Sequence, residues 1–139
     1  MTKEQIIDLA LSLRNNSTTS NPFKIGEMVG IKFRFVKYNK SAMTASTFRP
    51  FIDVPPAIHI NANFDERSQK VFCAHEIGHA LLHDDCCTHF NGDSLKNHQE
   101  YEANLFAVVL LFGLDAFAVD VKSMSNYHLK RILDYNVSY

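Results

Sequence analysis

Residues 71–83 read V-F-C-A-H-E-I-G-H-A-L-L-H, and His75-Glu76-Ile77-Gly78-His79 within them is an H-E-x-x-H. At about 3.6 residues per helical turn, His75 and His79 fall one turn apart on one face, where both imidazoles can reach a single zinc ion. Glu76 follows the first histidine, where its carboxylate can meet a water held by the metal. Val71, Phe72, Ala74, Ile77, Ala80, Leu81 and Leu82 surround this polar set with apolar side chains, as in a core helix. The same motif arises by chance on solvated amphipathic helices. Here the ionisable groups interrupt an apolar segment, where leaving them unpartnered is costly, so the pattern points to a metal site.

The 139 residues suffice for one domain over 1–139 with a proper core, and 46% apolar residues argue against disorder. A net charge of −1 with no basic run argues against electrostatic attraction to DNA or RNA, so no direct nucleic-acid partner is expected. The opening M-T-K-E-Q-I-I-D-L-A carries acidic groups and lacks the apolar region of a signal peptide. The longest apolar run, Leu105 to Leu114, is too short to span a bilayer. Cys73, Cys86 and Cys87 form no disulfide framework. The chain is therefore expected in the cytoplasm, with no membrane partner. Cys86 and Cys87 lie near Asp84, Asp85 and His89, but their spacing fits no standard zinc template, and they read as loop thiols.

Elsewhere the local signals are conventional. Ile6, Leu9, Ala10 and Leu13 give helical spacing over 3–14. Asn21-Pro22 opens a short helix to about Val29, and Gly30 stops it. Ile31, Phe33 and Phe35 alternate with Lys32, Arg34 and Val36 as in a half-buried strand. A second strand falls within 42–52, weakened by Pro50, and a third over 57–61 after Pro55-Pro56. The prolines suggest edge positions. Asp65 or a neighbour opens the H-E-x-x-H helix, which ends near Asp84 before a polar loop over about 85–96. A long helix follows over roughly 97–112, broken by Gly113, and Ser125 caps a last one to about Tyr135. The predicted order is α-α-β-β-β-α-α-α: an α+β domain with a small antiparallel or mixed sheet packed on helices.

A catalytic zinc takes three protein ligands and a water. His83 lies eight residues beyond His75, about 12 Å along the helix, too far for all three histidines to converge, so it caps the helix or pairs nearby. The metzincin pattern would place Gly at 82 and a ligand at 85, where this chain has Leu82 and Asp85. The helix beginning H-Q-E-Y-E-A-N-L-F-A remains. Thermolysin-like zincins take a glutamate from a separate helix, with a polar residue one turn later supporting a histidine. Glu100 and Asn104 reproduce that spacing, beside Ala103 and Ala107, which are small enough for close helix approach. Glu102 is about 200° round from Glu100, so both cannot face the metal. Spacing favours Glu100, with Glu102 as the alternative.

H-E-I-G-H-A-L-L-H followed by E-Y-E-A-N-L-F-A closely resembles the ImmA/IrrE family of zinc metallopeptidases, as does the preceding A-I-H-I-N-A-N. The resemblance covers most of residues 1–112. It departs where a Met-Pro commonly follows Leu-Leu, since Leu110-Leu111 is here followed by Phe112-Gly113.

The site itself implies a zincin-like endopeptidase. His75, His79 and Glu100 would hold Zn2+, and Glu76 would act as general base and then pass the proton to the leaving amine. Tyr101, His98 or His128 would offer a donor to the oxyanion, and the strand around Ile58 to Ile60 would bind an extended substrate. The resemblance implies the substrate: family members cleave helix-turn-helix repressors, relieving repression of phage, mobile-element or stress genes. No recognition helix is evident here, so the repressor would be a separate protein. The alternative is a non-catalytic, zinc-stabilised protein that binds a repressor or antitoxin. Glu76 argues for the enzyme, since structural zinc needs no general base.

Overall fold

A computed structural model describes residues 1–49, 51, 53–83 and 93–139. The cluster of Asp84, Asp85, Cys86, Cys87 and His89 lies outside the described residues, as do Pro50 and most of the expected polar loop. Among the described residues the element order is the predicted one, with five α-helices and three strands.

Helix α1 (Lys3–Asn16) begins with a reciprocal cap: Thr2 Oγ1 accepts from the Gln5 amide, and Gln5 Oε1 accepts from the Thr2 amide. It buries Ile6, Ile7 and Ala10. Helix α2 (Pro22–Met28) starts from the Asn21 side chain, which accepts from the Phe23 amide, and Gly30 beyond it adopts φ +89°. A left-handed residue there ends the turn at no steric cost only if it is glycine.

Strands β1 (Lys32–Val36), β2 (Ala45–Phe48) and β3 (Ala57–Asn61) form one mixed sheet in the order β1-β3-β2. β1 runs parallel to β3 and β2 antiparallel to it. The prolines were a poor guide to the third strand, which is central. Pro55 and Pro56 precede the ladder, so their missing N–H groups cost it nothing, and the Pro56 carbonyl still accepts from Lys32 at 3.4 Å. Ile58 and Ile60 turn fully inward onto the helices. The alternation expected in β1 fades along the strand. Ile31 just before it is buried, Phe33 is half-buried, and Phe35 on this edge strand is 52% exposed, its ring against Phe23.

Helices α3 (Glu66–Leu82) and α4 (Asp93–Phe112) make the main interhelical contact. Gly78 permits it: a Cβ there would stand 3.1 Å from the Ala103 Cα and 3.2 Å from the Ala103 carbonyl oxygen. Leu105, Phe106, Ala107, Val108 and Val109 of α4 are fully buried, with α1 packed along the helix. Arg14 Nη1 donates to the Leu110 and Leu111 carbonyls at 2.9 Å each, satisfying acceptors that the end of α4 leaves open. After a single 3-10 turn (Val121–Ser123), helix α5 (Asn126–Tyr135) buries Leu129 and Leu133. No helix among the described residues is long and apolar enough to cross a membrane.

Candidate metal centre

Asp65 fixes the start of α3, its side chain accepting from the Ser68 amide at 2.8 Å. A hydrogen bond from Ser68 holds the Asp65 carboxyl below the usual range. The helix then carries His75 and His79 to a common face. Their Nε2 atoms lie 3.1 Å apart, with the rings edge to face. Across from them on α4, Glu100 Oε1 lies 2.9 Å from His79 Nε2 and Oε2 lies 3.4 Å from His75 Nε2. One donor atom from each of the three residues falls within 4.8 Å of the others, so the group could hold a metal ion. Two imidazole nitrogens and one carboxylate oxygen are a donor set that suits zinc.

Glu102 faces elsewhere, as a rotation of about 200° requires. Its Oε1 meets His83 Nε2 at 3.0 Å and its Oε2 lies 3.6 Å from His98 Nε2. His83 is the C-cap of α3, in extended backbone, so the helix ends at Leu82. Asn104, one turn beyond Glu100, is buried and lines the cleft with His75, and its amide donates to Asn126 Oδ1 at 2.8 Å.

Glu76 and the triad line one cleft of about 440 Å³. Glu76 is 8% exposed, and Thr47 Oγ1 donates to its carbonyl at 3.2 Å, tying β2 to α3. Burial pushes the Glu76 carboxyl up, with His75 and His79 partly offsetting it. Burial pulls the His75 imidazole down, but its hydrogen bond to Glu100 and the nearby carboxylates outweigh this, and the net shift is upward. Hydrogen bonds from His75 and His79 hold the Glu100 carboxyl far below its ordinary value.

None of the three expected oxyanion donors lines this cleft. Tyr101 turns toward α1, where Lys3 Nζ sits 5.4 Å over its ring, and its buried hydroxyl has no hydrogen-bond partner among the described residues. His98 is beside Glu102, and His128 lines a separate groove with Phe112 and Phe117. Instead Asn126, Lys130 and Asp134 of α5 form the far wall. Their i, i+4, i+8 spacing marks a polar face in the sequence, but nothing local says that it meets α3 and α4. Lys130 Nζ is paired with Asp134 at 2.9 Å, which raises the lysine. The expected strand addition at Ile58–Ile60 also fails, because β3 has a neighbour on each side. Thr44 and Ala45, at the start of β2, are what the cleft meets of the sheet.

A family model described as the IrrE N-terminal-like domain, Peptidase_M78, matches residues 27–139. The chain belongs to the ImmA/IrrE family. The match takes in both α3 and α4, and so every residue of the His75–His79–Glu100 group. It also takes in α5, beyond the reach of the motifs. Among curated proteins, an uncharacterized immunity region protein 2 of Bacillus phage phi105 is 30% identical over 106 residues. The alignment covers 67% of this chain and 59% of the phage protein, so the chain spans well under the relative's full length. No solved structure matches the chain.

Proposed function

We propose that this protein is a zinc-dependent endopeptidase, with His75, His79 and Glu100 as metal ligands, Glu76 as general base, and a helix-turn-helix repressor as substrate. The observation that carries the reading is Glu76. It is a largely buried carboxyl lining the same cleft as the triad, in a family of metallopeptidases, and a purely structural metal would leave it without a role. Held by His75, His79 and Glu100, a zinc ion would supply Lewis acidity to a water in the cleft. Glu76, on the same cleft, would take a proton from the attacking water at its carboxylate and pass it to the leaving amine.

An extended peptide fits best along β2, whose outer edge pairs with no strand among the described residues and whose start borders the cleft. Asn126 and Lys130 on the opposite wall supply hydrogen-bond donors for its carbonyls. The similarity to a phage immunity-region protein supports a repressor as the partner. The protein would act in the cytoplasm and touch DNA only through that partner. The test is to incubate the purified zinc-loaded protein with the repressor encoded beside it and follow fragments by mass spectrometry, with and without chelator. Discrete fragments that vanish with chelator are expected. Relief of repression with the repressor left intact would contradict the reading and favour a binding protein.

A further inference from the structure

The far side of His79 is as ordered as the side facing the triad. Its Nδ1 lies 2.9 Å from His83 Nδ1, and His83 Nε2 lies 3.0 Å from Glu102 Oε1. Both outer members are shielded, with side-chain exposures of 9% for His83 and 11% for Glu102. Two like ring nitrogens at this distance must divide the roles of donor and acceptor. A carboxylate only accepts, so Glu102 calls for the His83 proton on Nε2. With its proton on Nε2, His83 can offer the Nδ1 lone pair to a proton on His79 Nδ1, 2.9 Å away. In the metal-loaded protein this would leave the His79 Nε2 lone pair, rather than the proton shared with Glu100 here, facing Glu100 and His75, the orientation a metal ligand needs.

We propose that Glu102 and His83 form a positioning relay that fixes the tautomer and ring orientation of His79. The inference rests on His79 being a metal ligand. In many metal sites a carboxylate accepts directly from the ligating histidine. Here an imidazole stands between them, and the fold shows why. His83 is the C-cap of α3, one turn from His79, so its ring occupies the place beside His79 Nδ1. Glu102 comes from α4, two residues beyond Glu100, so a single helix delivers one carboxylate to His79 directly and another to His83 behind it. His98 is at the outer end, 64% exposed and 3.6 Å from Glu102, and is not needed for the chain of hydrogen bonds.

The test measures zinc affinity by chelator competition, unfolding of the metal-free protein, and ring protonation by ¹⁵N NMR of histidine-labelled, zinc-loaded protein. His83→Ala and Glu102→Leu should each bind one zinc about 10- to 100-fold more weakly. Glu102→Gln, whose amide oxygen can still accept from His83, should recover most of that loss, and His98→Ala should match the wild type. The spectra should place the His79 proton on Nδ1 and the His83 proton on Nε2. A His83 proton on Nδ1 would overturn the relay. So would variants that lose stability without metal yet keep the wild-type zinc affinity, since that is the behaviour of a helix cap alone. Failure of the wild type to bind zinc would instead remove the metal reading itself.

Discussion

Glu100 and Glu102 are the same side chain two residues apart, and helix geometry sends them to different histidines. Glu100 lies against the Nε2 atoms of both motif histidines, while Glu102 lies against His83. Glu100→Ala should therefore bring zinc content at stoichiometric loading close to zero. Glu102→Ala should retain one zinc per chain with weaker affinity. Elemental analysis after gel filtration decides between them, and the reverse result would exchange the roles. That the two carboxylates diverge was legible in the sequence, because an angular offset of about 200° depends on nothing but the helix. Which of them faces the motif histidines was favoured by spacing and left open. The oxyanion donors were not legible. Tyr101, His98 and His128 are plausible by residue type, yet each points away from the cleft for reasons of packing that spacing cannot carry. Asn126 and Lys130 reach it only because α5 folds back across α4.

At the scale of elements, the helices announced themselves through their ends and the strands did not. Thr2, Asn21, Asp65 and Ser125 each cap the helix that follows, as their residue types predict. Asp65 carries a pH prediction. Its folded pKa lies below the unfolded one, so it adds stability above the ordinary carboxylate range and loses that contribution as the pH falls. Asp65→Ala should thus lower the thermal midpoint at neutral pH, and the gap to wild type should close in acid. A gap that persists in acid would assign the loss to something other than the charged cap. Gly78 sets the approach of α3 to α4, with Ala103 backbone in the way of any Cβ. Gly78→Ala should cost about 1–3 kcal/mol in urea unfolding and weaken zinc binding, because Glu100 rides on α4. Unchanged zinc affinity would mean the helices separate without moving the site. The order of the strands was hidden, since proline next to a strand reads the same whether the strand is central or at an edge.

Taken whole, the molecule assembles its cleft from α3, α4, α5 and the start of β2. Two short motifs gave away the first two walls and the family, because both lie on single helices whose periodicity is visible in one dimension. The other walls depend on contacts between residues far apart in sequence, such as Asn104 with Asn126 and Thr47 with the Glu76 carbonyl. The central claim is that this cleft hydrolyses a peptide bond with Glu76 as its base. The most direct measurement compares wild type and Glu76→Gln, both loaded with zinc, for cleavage of the neighbouring repressor under single-turnover conditions. Glutamine is nearly isosteric and Glu76 is no ligand, so zinc content and folding should be unchanged. The cleavage rate should fall by at least about 10²-fold, since an amide cannot take a proton from water. Equal cleavage by both proteins, or equal relief of repression with the repressor uncut, would contradict the account.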